Sequence, residues 1–395
     1  MPENRPRVLV LSASIGGGHV AAGRALHKAF TALDTEVEHI DLLEHTAVPF
    51  RRLYRQAYFD LVRNVPDLVE WVGRRMDRRP SERKTSPQRL RARVTRLLSY
   101  ELPRTIDKYR PHAVVHTHFL GAEIVAGRLR RRQPLPQAEV ITDFFAHNLW
   151  LQPGIARYFV ASEELRVHML AAGVDPNRVR VTGIPIDPAF ASLPSRAEAR
   201  AKFGLSSDRE VLLLLAGGLE AAGIRNVLEQ LRDFRWPLSV IVVCGRSPEL
   251  QRVAHSATEG AEGPVTFSVM GFVDDMPTLM AAADIAVTKP GGLTTSEALA
   301  SSLPLVLISP YPLQEEANAR VLLEQGCAVQ VEPLTTFAHK LRKLLEEPDR
   351  LASMRQAAAP LAHPDAAGRV ARTVLDELVP SVRSSTPVGL AGAGR

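Results

Sequence analysis

The sequence predicts an α/β protein of two doubly wound domains that face each other across a cleft. Three observations lead to this prediction. The chain has 395 residues, more than one core usually holds, since domains average about 150 residues. Short apolar runs rich in β-branched residues alternate with helical patterns, as in proteins built on parallel sheets. This alternation begins a second time near residue 211, so we expect a second domain of the same plan.

The first series of strands and helices begins at the amino terminus. An apolar run at 7–13 ends in glycines and is followed by a helical pattern over 21–33. A strand, a glycine loop and a helix are therefore expected in succession. Helical patterns separate most of the later runs. Further strands are predicted at 37–42, 113–118, 139–143, 158–161 and 179–182.

A turn rich in proline separates the two series. The segment Gly183-Ile-Pro-Ile-Asp-Pro188 favours a stiff turn, and we place the domain junction near residue 187. The predicted domains are 1–186 and 187–383, followed by a small, glycine-rich tail at 384–395 that is expected to be disordered. Strands of the second series are predicted at 211–216, 238–244, 265–270, 285–288, 305–308 and 328–331.

Composition excludes several classes of protein. Hydrophobic residues make up 45% and charged residues 23% of the chain, which excludes disordered and fibrous proteins. Two cysteines cannot form a disulfide framework or a four-thiolate zinc site, and they favour a reducing cytoplasm. The longest uncharged stretch, 298–314, is interrupted by prolines and is too short for a spanning helix.

A basic patch accounts for the positive charge of the chain. The formal charge is +6, yet residues 74–96 hold ten arginine and lysine residues against two acidic ones, a local charge of +8. Such a patch attracts nucleic acid or anionic lipid, although a solvated basic face is an alternative. The segment 50–76 carries an apolar stripe with Pro66 among arginines, which suits either a membrane interface or a core-facing helix.

The first candidate site is the glycine loop Ser12-Ala-Ser-Ile-Gly-Gly-Gly-His19. Consecutive glycines let the backbone approach a ligand, and the following helix presents free N–H groups to a phosphate or hydroxyl. His19 adds a group that titrates near neutral pH, so we interpret it as the candidate general base. A purely structural turn is the alternative.

The second candidate site follows the strand predicted at 139–143. Asp143 and His147 lie four residues apart at a strand end, where they can form a hydrogen-bonded catalytic pair beside the amphipathic Trp150. The alternative is an ordinary loop in which the tryptophan only packs. Two further histidines, His116 and His118, lack an evident third ligand, so no metal site is predicted.

Glycine turns in the second half suggest a diphosphate site. In Lys289-Pro-Gly-Gly-Leu-Thr-Thr-Ser-Glu297 a strand ends, two glycines turn the chain and a helix starts, an arrangement that suits a diphosphate. Glu297, one turn inside this helix, can accept hydrogen bonds from vicinal hydroxyls. A structural turn is again the alternative. The candidate residues are Lys289, Gly291, Gly292, Thr294 and Glu297, with Gly217 and Gly218 in a similar loop and Gln314, Glu315 and Asn318 in a later one.

In this order, the motifs resemble those of the monogalactosyldiacylglycerol synthases and the processive diacylglycerol glucosyltransferases. The resemblance covers about residues 7 to 345. The family has the GT-B fold, in which two facing Rossmann-like doubly wound domains enclose a cleft. The resemblance rests on the glycine loop with His19, Pro66, the segment from Asp143 to Trp150, the turn at 271–276 and the motifs at 289–298 and 314–318.

The resemblance implies an inverting transfer of a hexose from a UDP-sugar to a lipid hydroxyl, most directly that of diacylglycerol. It implies an amino-terminal acceptor domain that faces a membrane and a carboxy-terminal UDP-sugar domain, whose last helix, near 366–378, returns to the first. The expected location is the cytoplasm, at the anionic inner face of the plasma membrane. Because the chain contains no Asp-x-Asp motif, the transfer is expected to need no metal or other cofactor, with helix ends and Lys289 balancing the phosphate charge.

The resemblance also assigns roles to single residues. His19 is implied as the base or its neighbour. Carried over position by position, Gly17, Gly18, Pro66 and Trp150 are expected at the acceptor lipid, Phe272 and Val273 at uracil, Gly291, Gly292 and Thr294 at phosphate, Glu297 at ribose, and Gln314 and Glu315 at the sugar.

Three alternative functions stay open at this point. The peptidoglycan-precursor N-acetylglucosaminyltransferase shares part of these motifs and uses a polyprenyl-lipid acceptor, so a transferase with a polyprenyl-lipid or small-molecule acceptor is the first alternative. UDP-N-acetylglucosamine 2-epimerases also use two such domains, without a lipid. A nucleotide-sugar sensor or nucleic-acid-binding protein would use the basic patch, but no recognised nucleic-acid motif accompanies it, so no nucleic-acid partner is predicted. The hexose, the number of sugars added and the oligomeric state are left open.

Overall fold

A computed structural model describes residues 5–46, 101–126, 135–152, 154–311 and 314–379. The segment 50–76 with Pro66, the basic patch at 74–96 and the tail at 384–395 lie outside the described residues. None of the helices in the described part of the chain combines the length and apolar character needed to cross a bilayer.

The first sheet has six parallel strands in the order β2-β1-β3-β4-β5-β6. The chain therefore changes direction across the sheet between β1 and β3, the point where such sheets bind ligands. The strands are Arg7–Ser12 (β1), Glu36–Asp41 (β2), Ala113–His116 (β3), Gln137–Val140 (β4), Ile155–Val160 (β5) and Val179–Val181 (β6), and the helices are Gly18–Ala32 (α1), Glu101–Tyr109 (α2), Phe119–Ala126 (α3) and Glu163–Ala171 (α4).

The second sheet repeats this plan in the order β12-β11-β10-β7-β8-β9. Its four central strands are apolar and buried on both faces, as parallel sheets covered by helices require, whereas the edge strands β9 and β12 are partly exposed. The strands are Glu210–Leu215 (β7), Leu238–Val243 (β8), Val265–Met270 (β9), Ile285–Thr288 (β10), Leu305–Ile308 (β11) and Ala328–Val331 (β12). The helices are Arg196–Lys202 (α5), Ala221–Arg232 (α6), Pro248–Thr258 (α7), Met276–Ala282 (α8), Gly292–Ala300 (α9), Gln314–Glu324 (α10), Phe337–Glu346 (α11) and Pro348–Ala357 (α12).

The predicted fold class is confirmed, with one difference near the site. The strand predicted at 139–143 begins at Gln137 and ends at Val140. Asp143 therefore lies in the loop beyond the strand, where its side chain is free to turn toward the second sheet.

The last helix, Ala366–Leu378 (α13), packs against the first sheet together with α1. The chain thus passes twice between the two halves. At the crossing, Gly183 has a φ of +83°, and a Cβ there would lie 2.2 Å from Cβ of His363, so only glycine fits. Arg369 fixes the crossing by donating from Nη2 to the Val181 carbonyl at 2.9 Å.

Candidate functional site

The glycine-rich loops of both sheets meet between the two halves of the molecule. Ala22 and Phe144 from the first half share an apolar cluster with Leu293 from α9. A Cβ on Gly18 would lie 3.3 Å from the Leu293 side chain, and a Cβ on Gly292 would lie 1.9 Å from the Thr142 carbonyl oxygen. The second distance is shorter than any real contact, so this approach requires glycine at position 292.

His19 is the second residue of α1 and is held in one orientation. Its Nδ1 lies 2.8 Å from the Thr117 carbonyl oxygen and 2.9 Å from Oγ1 of Thr142. A carbonyl oxygen only accepts, so Nδ1 carries the proton and donates it. Nε2 is left with a lone pair, the state that a general base needs.

Burial keeps the His19 imidazole neutral. Desolvation lowers the pKa of His19 from 6.5 to about 4, and the hydrogen bond to the Thr117 carbonyl opposes this only in part. The ring is therefore neutral at neutral pH, and its Nε2 is available to accept a proton.

An aromatic wall lies beside His19. The His118 ring stands nearly perpendicular to it at 4.7 Å, and Trp150 is 6.4 Å away. Phe119 lies 5.6 Å from Trp150 and 5.2 Å from His147. Trp150 is only 2% exposed, so its ring is part of this wall rather than of the outer surface.

His116 and His118, the two histidines considered above as metal ligands, have separate environments. His116 Nε2 pairs with Gln137 Oε1 at 3.0 Å on the buried face of the first sheet. His118 Nδ1 accepts from the Leu120 N–H and belongs to the aromatic wall. Among the described residues no group of three or more possible metal ligands occurs. No sequence pattern placed His118 and Phe119 at the site, since they become neighbours of His19 only through the sheet.

Asp143 contacts the second half of the molecule instead of forming the expected pair with His147. Its Oδ1 accepts from Nδ2 of Asn318 at 2.9 Å. Burial raises the pKa of Asp143 to about 7, and the Asn318 hydrogen bond lowers it in part. His147 meets the edge of Phe119. The physical reason is that Asp143 lies past the end of β4, facing α10.

Asn318 differs from the donor-binding role that the sequence suggested. Its side chain is completely buried. Nδ2 donates to Asp143 and, at 2.9 Å, to the Pro290 carbonyl, while Oδ1 accepts from the Phe144 N–H at 2.8 Å. Both N–H groups are therefore used within the protein, which leaves none to donate to a sugar.

Four residues form a charged cluster where β7 and β10 end. Nζ of Lys289 lies 2.5 Å from Oε1 of Glu315 and 4.3 Å from the centre of the Tyr311 ring. The Tyr311 hydroxyl donates to the Gly218 carbonyl at 2.9 Å, and its N–H donates to Oε2 of Glu315 at 2.9 Å. Sequence analysis missed Tyr311, although an aromatic residue between two prolines after a strand was an available signal.

The glycines of the two loops leave room for a ligand. A Cβ on Gly16, Gly17 or Gly217 would meet no atom within 4 Å. Gly291 precedes the first turn of α9, whose N–H groups and positive end suit an anion. Thr294 and Gln314 occupy the first turns of α9 and α10, and both are half-buried.

Glu297 lies in the second turn of α9. Burial, followed by the charge of Asp187, raises the pKa of Glu297 to about 8. Its carboxyl group is therefore protonated at neutral pH in this environment, and it can both donate and accept a hydrogen bond.

An exposed aromatic ring, that of Phe272, lies beyond the carboxyl end of β9 in the second sheet. Phe272, just after β9, is 49% exposed, and the Arg246 guanidinium stacks 3.8 Å from its centre. Val273, the next residue, packs against the apolar cluster that also contains Leu293. Since β9 is three strands from β10, the ends of these two strands lie about 14 Å apart at about 4.8 Å per strand.

Comparison with known proteins gives two successive family matches. The family model for monogalactosyldiacylglycerol (MGDG) synthase matches residues 19–186, and that for glycosyl transferases group 1 matches residues 195–360. The chain is 29% identical to a processive diacylglycerol beta-glucosyltransferase of Bacillus subtilis (strain 168) over 360 residues, or 89% of this chain and 90% of the relative. A relative of the same description from Bacillus mycoides (strain KBAB4) is 28% identical over 397 residues, or 94% of each chain.

Solved structures confirm the GT-B fold. MurG of Acinetobacter baumannii superposes with a TM-score of 0.63 at 18% identity and covers 94% of this chain and 99% of its own. MnaA of S. aureus, solved with UDP, superposes with a TM-score of 0.64 at 13% identity and covers 97% and 99%.

Proposed function

Because the chain belongs to the GT-B glycosyltransferase family of monogalactosyldiacylglycerol synthases and processive diacylglycerol glucosyltransferases, we propose that it transfers a hexose from a UDP-sugar to diacylglycerol. The transfer inverts the anomeric carbon and uses no metal ion. The observation that carries this proposal is His19, neutral and protonated only on Nδ1, beside the loops that suit a diphosphate.

The proposed chemistry is a single displacement. The acceptor hydroxyl oxygen attacks the anomeric carbon while Nε2 of His19 takes its proton. The bond between the anomeric carbon and the UDP oxygen breaks, and UDP leaves with the electron pair. Attack on the face opposite the leaving group inverts the configuration, so an α-linked donor gives a β-linked product.

Fixed positive groups support the departure of UDP without a metal. The positive end of α9 begins at Gly292, and Lys289 lies at the end of the neighbouring strand. Preorganised charges of this kind stabilise developing negative charge in a site with little water. In this arrangement Phe272 and Val273 lie at uracil, Glu297 at ribose, and Gln314 and Glu315 at the hexose.

The aromatic wall supports a lipid acceptor. Phe119 is half-buried and packs on the buried Trp150 near His19, and its exposed part suits the glycerol and upper acyl chains of diacylglycerol. The sequence adds the +8 charge of residues 74–96, which attracts anionic lipid. This charge supports a peripheral position on an anionic membrane, and the location we propose is the inner face of the plasma membrane.

Release of UDP tests this proposal. UDP-glucose, UDP-galactose and UDP-N-acetylglucosamine are each supplied with anionic vesicles, with and without diacylglycerol. We expect release that requires diacylglycerol, and the donor that supports it identifies the hexose. Formation of a 2-epimer from UDP-N-acetylglucosamine without lipid would instead favour the epimerase alternative, and release that requires a polyprenyl lipid would replace the acceptor.

A further inference from the structure

One buried amide joins the two halves of the molecule at the site. Asn318 in α10 makes three hydrogen bonds, which lead to Asp143, to the Phe144 N–H and to the Pro290 carbonyl. The first two partners lie in the loop after β4 in the first half, and the third lies in the glycine turn of the second half. The amide thus bonds to both loops at the same time.

A close backbone approach reinforces this contact. Because a Cβ on Gly292 would lie 1.9 Å from the Thr142 carbonyl oxygen, the glycine turn and the loop after β4 touch at the backbone. The two loops therefore cannot shift independently without breaking buried hydrogen bonds, each of which is costly to leave unpaired.

The contact continues to the base. Thr142 adjoins Asp143, and its Oγ1 lies 2.9 Å from Nδ1 of His19. A continuous path of short contacts therefore runs from Pro290, through Asn318 and Asp143, to the nitrogen that fixes the His19 tautomer.

From this path, and resting on the proposed function, we propose that Asn318 is a positioning residue that makes the placement of His19 depend on the glycine turn that holds the donor diphosphate. Of the side chains of asparagine, aspartate and alanine, only the amide can donate to both Asp143 and Pro290 and also accept from Phe144. Aspartate at this position keeps the acceptor for Phe144 but has no N–H for Asp143 or Pro290, and alanine keeps neither.

Two variants test the proposal, Asn318→Asp and Asn318→Ala. The aspartate keeps the volume and one of the three hydrogen bonds but sets a carboxyl group against Asp143, whereas the alanine leaves a cavity and no charge, so each variant serves if the other does not fold. Asn226→Ala is the matched control, because Asn226 lies in α6 of the same half and its Oδ1 accepts only from Gln230 among the hydrogen bonds described here. Melting temperature and UDP affinity establish that each variant is folded.

We expect kcat to fall by about 10- to 100-fold in both variants, as when a catalytic group is misplaced by about 1 Å, while the Kd for UDP changes less than about threefold. The pH profile adds a second readout. Asn318 lowers the pKa of Asp143 and so does Lys289, whereas Glu315 raises it. Removing the amide should therefore move the Asp143 titration upward. An unchanged kcat overturns the proposal, and so does a raised Kd for UDP with unchanged kcat, which would make Asn318 a donor ligand.

Hydrogen exchange tests the coupling without turnover. UDP should slow exchange of the amides at 142–147 in the wild-type protein and in Asn226→Ala, but not in Asn318→Asp. Equal protection in all three proteins overturns the proposal. If the wild type binds UDP but glycosylates no lipid, the proposed function fails, and the exchange comparison still decides whether Asn318 couples the two loops.

Discussion

At the residue scale, the chemistry of the site depends on which nitrogen of His19 carries its proton. The residues that decide this, Thr117 and Thr142, are 98 and 123 positions away in the chain. The glycine loop allowed His19 to be predicted as a base from sequence. Its tautomer could not be predicted, because no local pattern records which strand ends approach the ring.

Replacing the imidazole tests the role of His19. His19→Ala should lower kcat by about 100- to 10,000-fold, the usual contribution of a general base, with little change in UDP affinity. His255→Ala, on the exposed face of α7, is the control and should retain wild-type activity. Initial rates with saturating donor and diacylglycerol give the comparison, and turnover within a few-fold of wild type in His19→Ala would remove His19 from the mechanism.

Asn318 and Tyr311 show the limits of spacing at this scale. Asn318 follows Gln314 and Glu315 by a few residues, so the sequence placed all three at the sugar. In the structure, Asn318 lies on the same face of α10 as Gln314 but about 6 Å further along the helix, where its amide meets the loop after β4 instead. Tyr311 precedes the same helix and caps the Lys289–Glu315 pair, a contact between loops that only the sheet order brings together.

At the element scale, the strands followed directly from the sequence and the loops did not. The strands β9 to β12 have the predicted bounds. For β10 and β11 the reason is that a buried parallel strand needs a short apolar run that turn residues delimit. The bounds of α13 also match. The loop after β4 was misjudged because its polar residues are ordered by the opposite domain rather than by their neighbours.

The contact between the start of α9 and the loop after β4 can be tested by adding one methyl group. Gly292→Ala places a methyl group into the Thr142 carbonyl, so the two loops must separate and kcat should fall by at least about tenfold. Each domain keeps its own core, so far-ultraviolet circular dichroism should be unchanged. Gly217→Ala, where a Cβ meets open space, is the control for folding and should keep the wild-type melting temperature. Wild-type kcat in Gly292→Ala would show that the close contact is not needed for turnover.

At the scale of the whole molecule, the repeat of the strand pattern predicted two domains, and the resemblance implied that the last helix returns to the first domain, as it does. The side-chain contacts that hold the two crossings together could not be predicted. The chain crosses at Gly183 and again before α13, and the two crossings are fixed to each other by His363 and Arg369. Contacts of this kind join residues nearly 190 positions apart, so they depend on the completed fold.

Buried titratable groups predict how stability depends on pH. Burial lowers the pKa of His19, His39 and His116 to about 4, so the unfolded chain takes up more protons and stability is lost as pH falls from about 6.5 to about 4. Burial raises the pKa of Asp143 to about 7 and of Glu297 to about 8. The folded protein keeps these protons at a higher pH than the unfolded chain does, so stability is lost as pH rises toward about 8.

The melting temperature should therefore be highest near pH 6 to 7, roughly where the two effects balance. Calorimetry across the pH range measures this directly. Glu297→Gln should reduce the fall in melting temperature at alkaline pH, because it removes one of the two carboxyl groups. A melting temperature that rises steadily through about pH 9 would contradict the assignment of these buried groups.

The chemical identity of the lipid product tests the proposed transfer most directly. After incubation with the UDP-hexose that supports turnover and diacylglycerol vesicles, the lipid fraction is analysed by mass spectrometry and by the anomeric proton coupling in NMR. We expect a hexosyl diacylglycerol whose first sugar is β-linked to glycerol. An α-linked product, or a sugar on a different acceptor with diacylglycerol left unmodified, would contradict the proposed transfer.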